Sequence, residues 1–298
     1  MPELLQDALL AIDERMTEPQ EIAVPGGIAG VFSSRSPAKE TANEDAAAVI
    51  PAGDAVVLAV ADGVGGCQAG EQASRIALQS LKAAIDEALL LDDPLSVMIV
   101  AEPPSQAIGT DDRPPWLRTA ILNGLERANR EILALGTGAA TTVAVAEISG
   151  NSVRTYHVGD SMILLVGGRG KIKAQTISHS PVGYGIEAGL LDEAEAMHHE
   201  DRHLVSNFVG CPEMRIEIGP SQELSARDTL LLASDGLADN LHTQEIIERI
   251  RSGPLLRGML ALAKDSTSRM LNPAEGQPSK PDDLTFVVYR PRMPNNAA

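Results

Sequence analysis

The chain is 298 residues long, with 41 acidic against 24 basic side chains and a formal net charge of −17. A chain of this length buries a core without disulfide or metal staples. Its charge excludes a nucleic-acid-binding face or attraction to an anionic membrane, and suits bound cations or basic segments of other proteins.

Cys67 and Cys211 lie far apart with no CxxC pair, so neither a disulfide framework nor a cysteine zinc site is expected, and each reads as an incidental free thiol. Aromatic residues make up 2% of the chain, which leaves Ala, Val, Leu and Ile to build the core. The acidic N-terminal stretch does not read as a signal peptide, and no stretch has the length of a membrane span. The expected location is the cytoplasm.

In chain order, Pro2 to Met16 reads as a helix with Leu5, Leu9 and Ile12 at helical spacing, either packed on the domain or serving as a docking tail. Ile28 to Ser33 reads as a first strand. Ala46 to Ile50, the turn Pro51-Ala52-Gly53-Asp54 and the valine-rich run from Ala55 read as a hairpin. That run ends in Asp62-Gly63-Val64-Gly65-Gly66, and the hairpin brings Glu44 and Asp45 to the end of the strand that carries Asp62.

Helices are expected over Ala69 to Leu91 and Trp116 to Leu135, with an irregular proline-bearing insertion between Asp92 and Pro115. Next come strands Thr141–Ile148 and Val153–Val158 around a Ser149-Gly150-Asn151 turn, then Met162–Val166 and Lys171–Ile177 around another glycine turn. Further strands are read at Leu204–Val209, Arg215–Ile218 and Thr229–Ala233, helices at Thr243–Arg251 and Leu255–Leu271, and a last strand at Leu284–Arg290. Strands, helices, hairpins and helices in that order are not the alternation of a doubly wound sheet; they predict a layered α+β fold.

One pattern repeats along this order. Asp62, Asp160 and Asp235 each end an apolar strand, while Glu44-Asp45 and Asp282-Asp283 each begin one. Any one of them alone is a common strand-to-turn acid. Acids gathered at one rim of a sheet would repel one another and resist ionisation unless cations neutralise them. Oxygen donors without soft ligands suit Mg²⁺ or Mn²⁺ rather than zinc or copper. Two such ions about 4 Å apart clamp the oxygens of an in-line phosphoryl displacement.

The motifs Asn43-Glu44-Asp45, Ala61-Asp62-Gly63-Val64-Gly65-Gly66, Gly138-Ala139-Ala140-Thr141-Thr142, Gly159-Asp160-Ser161, Ser234-Asp235-Gly236-Leu237 with Asp239, and Asp282-Asp283-Leu284-Thr285 stand in the order of those of the metal-dependent protein phosphatases (PPM, or protein phosphatase 2C), and the chain resembles the bacterial members. His179-Ser180 through Gly189, Glu193 to Ala196, His199, Arg202 and Gly210 resemble their flap.

The resemblance covers about residues 28–290. It implies one phosphatase domain over residues 1–298, with the N-terminal helix (1–20) and the 92–115 loop as additions. The fold it implies is a four-layer α-β-β-α sandwich of two antiparallel sheets flanked by helices. The activity it implies is hydrolysis of phosphoserine and phosphothreonine in proteins through a hydroxide bridging two Mn²⁺ or Mg²⁺ ions, with a third, weaker ion in some bacterial relatives. Asp62 would bridge the ions, Glu44 and the Gly63 carbonyl would hold one, and Asp235 and Asp282 the other. Asp45 would orient a water, and Asp160 with Asp235 would reach the third ion. Asp283 takes the place of the family's usual Asn, beside the ligands.

Three positions depart from the family. Glu40 stands where an Arg commonly grips phosphate, leaving Arg35 or Lys39 for that role; Met162 replaces an Arg after Gly-Asp-Ser; and Val64 stands where eukaryotic members carry a His. The missing Arg keeps a second reading open, a non-catalytic relative that binds phosphoproteins. A third reading comes from His199-Glu200-Asp201-Arg202-His203, which spells the HExxH of zinc proteases. That chemistry needs both histidines on one helix.

Overall fold

A computed structural model describes residues 4–64, 69–92, 114–197 and 199–292. Gly65, Gly66, Cys67 and nearly all of the proline-bearing insertion lie outside these residues.

The elements run β1 (Leu9–Ile12), β2 (Gln20–Val24), β3 (Gly27–Ser34), β4 (Asp45–Ala52), β5 (Ala55–Gly63), α1 (Gly70–Asp92), α2 (Pro115–Ala134), β6 (Thr141–Ser149), β7 (Ser152–Val158), β8 (Met162–Val166) and β9 (Ile172–Gln175). They continue through α3 (Pro181–Glu187), α4 (Glu193–Ala196), β10 (Glu217–Ile218), β11 (Gln222–Glu223), β12 (Thr229–Ala233), α5 (Asp235–Ala238), α6 (Thr243–Ile250), α7 (Leu255–Leu271) and β13 (Leu284–Pro291).

Among the described residues the strands form two antiparallel sheets, ordered β1-β4-β5-β6-β7-β10, with β11 also on β7, and β2-β3-β13-β12-β8-β9. Both faces of each sheet are covered, and the period of two along each strand sorts side chains between cores. Along β5, Val56, Leu58 and Val60 point between the sheets, while Val57, Ala59 and Ala61 pack under α1 and α2. Along β12, Leu230 and Leu232 point between the sheets, while Leu231 and Ala233 meet α5, α6 and α7. The order is therefore helix, sheet, sheet, helix. Alanines on the helix-facing side of β4 and β5 let α1 lie close, which is how a core nearly without aromatic rings is filled.

The N-terminus corrects the sequence reading. The expected helix over Pro2 to Met16 is an edge strand, β1, paired with β4 from Leu9 opposite Val49 to Ile12 opposite Ala46. Leu9 and Ala11 face the space between the sheets, and Leu10 and Ile12 face the α1–α2 side. A strand covered on both faces is apolar at every position, so any subset of it can mimic helical spacing.

A second correction concerns Leu204–Val209. Only Val209 makes a bridge, with Thr141, and the amide of Ser206 donates instead to the carbonyl of His179 at 2.8 Å. No described helix is long and apolar enough to cross a membrane.

Candidate metal centre

Pairing register decides where the acids go. Asp45 at the start of β4 lies directly opposite Asp62 near the end of β5, and Asp62 lies opposite Thr142 on β6. β7 ends beside β6, with Val158 opposite Val143, so the following Gly159-Asp160 emerges at the same rim. In the other sheet β12 ends where β13 begins, with Ala233 opposite Phe286, which brings Asp235 to Asp282 and Asp283. The backbone N–H of Asp235 comes within 3.5 Å of Asp62 Oδ2, across the sandwich.

Glu44, Asp45, Asp62, Asp160, Asp235 and Asp282 thus line one cavity of about 250 Å³, together with Gly63, Asp283, Lys280 and His203. All six expected acidic ligands and Gly63 are brought together.

The backbone turns are tight. The Gly63 N–H donates to the Glu44 carbonyl at 3.1 Å, and the Thr141 hydroxyl donates to the Asp62 carbonyl at 2.8 Å. A Cβ on Gly63 would meet the Gly70 carbonyl at 2.5 Å and the Glu44 carbonyl at 2.8 Å, so only glycine fits where β5 passes α1.

Asp45 is buried and accepts from the Ser234 hydroxyl at 2.7 Å, tying the sheets together. Asp283, only 2% exposed, accepts from the backbone N–H groups of Ser36 and Glu44 at 2.7 Å each and from the Lys39 ammonium at 2.8 Å. Lys39 also pairs with Glu44, so it lies against the site. Arg35 does not line the cavity; its guanidinium donates to the carbonyls of Glu40 at 2.8 Å and Thr41 at 3.3 Å.

The electrostatics follow from this crowding. Burial first, and then the charges of neighbouring acids, push the carboxyls of Asp45 and Asp62 well above the ordinary carboxylate range. The same causes raise Asp160 to about 7 and Asp282 to about 6. Burial would lower the Lys280 ammonium, but the charges of Asp235, Asp239 and Asp282 outweigh it and hold Lys280 well above its ordinary value.

A carboxyl raised in the folded state favours folding when protonated. Its contribution is full below the unfolded value near 3.8 and is lost as pH climbs through about 6 for Asp282 and about 7 for Asp160. In EDTA, the melting temperature should therefore fall as pH is raised from about 5 to about 8, and saturating Mn²⁺ should remove or reverse that fall. Calorimetric scans across that range check this; a melting temperature in EDTA that climbs to pH 8 contradicts it. A cavity of hard oxygen donors, each resisting ionisation because of the others, fits hard divalent cations.

Several residues at the site gave no separable sequence signal. Lys280 Nζ lies 2.6 Å from Asp235, 2.8 Å from Asp239 and 3.2 Å from Asp282. Asn240, fully buried, accepts from the Lys280 N–H at 2.9 Å and donates to the Lys280 carbonyl at 2.8 Å. In the sequence, Lys280 is one lysine in a proline-bearing loop; its only cue is its place two residues before Asp282.

His203 reaches the cavity from the flap, but the HExxH reading fails. The residues from His199 to His203 form turns, not a helix, and the His199 ring accepts from the Asp201 N–H at 3.1 Å, so the two histidines are not presented by one helix face.

Another histidine pair, His157 and His179, lies with Glu217 behind the Asp160 loop. The three offer donor atoms within 4.8 Å of one another. The two rings stack at 4.4 Å with planes 26° apart, so their in-plane nitrogens run side by side rather than converging. The Gly159 N–H donates to His179 Nδ1 at 3.1 Å, which places the ring proton on Nε2, facing Glu217 at 3.1 Å. The pair clamps the turn that carries Asp160.

A larger cleft, about 530 Å³, adjoins the acidic cavity and shares Asp160 and Asp235 with it; it runs between β8, β9, α6 and the flap helices α3 and α4, with Arg202 at its wall. Cys211 is a free thiol, half-buried.

Comparisons with known proteins place the chain in a family. The sequence model of the family "Protein phosphatase 2C" matches residues 35–273. Protein phosphatase PhpP of Streptococcus pneumoniae is 30% identical over 204 residues, 66% of this chain and 73% of that protein. The structure of serine/threonine phosphatase Stp1 from Staphylococcus aureus superposes with a TM-score of 0.71 at 22% identity, covering 95% of this chain and all of that one, and speaks to the fold. So does the catalytic domain of serine/threonine protein phosphatase PstP, solved with two manganese ions, at a TM-score of 0.63 and 24% identity over 89% of this chain and 98% of that one.

Proposed function

The chain belongs to the protein phosphatase 2C family, and from that premise we propose that it removes phosphate from phosphoserine and phosphothreonine in cytoplasmic proteins, using Mn²⁺ or Mg²⁺. The observation that carries the proposal is the convergence of strand-end acids from both sheets on one cavity, with Asp45 opposite Asp62 and the Asp235 backbone against Asp62 across the sandwich.

Two divalent ions held there would neutralise the phosphoryl oxygens and lower the pKa of water toward neutral pH. Asp62, between the sheets, would bridge the two ions; Glu44 and the Gly63 carbonyl would hold one ion, Asp235 and Asp282 the other, and Asp160 with Asp235 would reach a third. Asp45, anchored by Ser234, would orient water, and Asp283 holds the Ser36–Glu44 backbone in place beneath Glu44. Lys39, paired with Glu44 and Asp283, would take a phosphate oxygen in the role the family gives to the Arg replaced by Glu40. The adjoining cleft gives a phosphorylated segment room to lie beside the acids.

The intact acids do not favour the non-catalytic reading. The deciding experiment is hydrolysis of a phosphothreonine peptide and of the same peptide carrying phosphotyrosine. Phosphate release that requires Mn²⁺ or Mg²⁺, stops in EDTA and prefers phosphothreonine is expected. No release with any divalent metal would overturn the assignment.

A further inference from the structure

Among the described residues, two ammonium groups, those of Lys39 and Lys280, touch the acids of the cavity, and they differ in their surroundings. Lys39 has a partner outside the cavity's ligand set: Asp283, buried and held by two backbone N–H groups as well. Lys280 is set chiefly among ligands: of its three carboxylate partners, Asp235 and Asp282 line the cavity and are assigned above to a divalent ion, while Asp239 lines the adjoining cleft beside Asp235.

Nor is Lys280 a mobile surface lysine that settles there by chance. Its backbone is clamped on both sides by the buried Asn240, whose amide also donates to the Gly236 carbonyl at 2.9 Å. Asn240 in turn has its own carbonyl held by Arg269 at 2.7 Å, and Arg269 is paired with Glu245. The backbone of Lys280 is therefore fixed to the same turn that carries Asp235 and Asp239, and its ammonium has a short reach to all three acids.

We propose that the Lys280 ammonium is a tethered occupant of the cation position formed by Asp235, Asp239 and Asp282, and that a divalent ion enters this position by displacing it. The proposal rests on the metallophosphatase reading and adds to it a competitor built into the chain. A monovalent ammonium carried on the protein is present at high effective concentration and offsets repulsion among the acids. A divalent ion offers twice the charge and binds carboxylate oxygens directly, so it wins, but only above a concentration raised by the competition. Binding at this position is then weaker than the donor set alone would provide, and the fold around the empty cavity is steadier than the acids alone would allow. The two effects have one cause and must change together.

The test is Mn²⁺ titration by calorimetry, paired with melting temperatures in EDTA, on the whole chain. The variants are Lys280→Gln, Lys280→Arg and, as a control for net charge, Lys264→Gln on the exposed side of α7. Lys280→Gln should bind Mn²⁺ at one position about tenfold more tightly, a coupling within the usual range for linked binding events, and should melt lower in EDTA. Lys280→Arg, which keeps the charge, should stay close to the unaltered protein in both, as should Lys264→Gln.

If Lys280→Gln binds Mn²⁺ with unchanged or weaker affinity while the unaltered protein binds two ions, Lys280 is no competitor and the proposal falls with the phosphatase reading intact. Equal tightening in Lys264→Gln would reduce the effect to net charge and also overturn it. If the unaltered protein binds no Mn²⁺, the metallophosphatase reading itself fails. Should Lys280→Gln not fold, the Lys280→Arg result still decides: retained affinity and stability support the charge, and a loss of both points to a packing role.

Discussion

Asp62→Asn should abolish phosphatase activity while leaving the fold at least as stable in EDTA. Asp62 sits at the junction of the two sheets, opposite Asp45 and within 3.5 Å of the Asp235 N–H. Burial and four neighbouring acids hold its carboxyl well above the ordinary range, so in the absence of divalent ions a charge at this position opposes folding. Asparagine has the same shape and no charge. It removes the repulsion and cannot bridge two cations. Groups that merely orient a metal ligand are worth about 10–100-fold in affinity or activity; loss of the bridging role proposed for Asp62 should cost about 10³-fold or more in kcat/KM. The melting temperature in EDTA should hold or rise, the usual opposition of stability and function at a site built from like charges. Activity within tenfold of the unaltered protein would remove Asp62 from the centre. A collapse in EDTA would make its role structural.

Gly236→Ala should destabilise the protein more than a surface alanine substitution by a wide margin. A Cβ on Gly236 would stand 1.9 Å from the Asp283 carbonyl oxygen, 3.0 Å from its carbon and 3.4 Å from Leu284 Cα. These are backbone atoms at the head of β13, an interior strand of its sheet, so no side chain can swing aside. Either α5 lifts or β13 shifts. Overpacking of this kind costs about 3 kcal/mol, roughly 5 °C in melting temperature for a chain of this size. Because Asp235 flanks the contact on one side and Asp282 and Asp283 on the other, Mn²⁺ affinity should fall with stability. Thermal melts with and without Mn²⁺ check both. A variant melting within about 1 °C of the unaltered protein, with full activity, would mean the two segments are not so closely packed.

Legibility in the sequence followed the range of the interactions. The β4–β5 hairpin could be read because its turn and both strands are contiguous, and its register put Asp45 opposite Asp62. The helix pairs α1–α2 and α6–α7 were marked by long apolar faces, and the ends of β7 and β12 by Gly-Asp and Ser-Asp steps. β1 could not be read, because cover on both faces erases the alternation that identifies a strand; only its pairing with β4 across more than thirty residues makes it one. The HExxH string is the reverse case, a local match without the helix that gives it meaning. The flap around it is held instead by contacts such as Ser206 to His179.

What the sequence determined by itself was the inventory: acids at the ends of apolar strands, oxygen donors without sulfur, and the order of motifs that marks the family. Those are properties of neighbours along the chain, set by turn chemistry and hydrophobic period. Which cations answer those acids was decided only by tertiary structure. Arg35 and Lys39 are four residues apart, yet one donates to local carbonyls and the other reaches Glu44 and Asp283. Lys280 reaches Asp235 across forty-five positions, because Asn240 fixes its backbone beside that turn. Long side chains carry charge several ångströms from their backbone, and the burial and partners that direct them come from segments the local sequence does not contain.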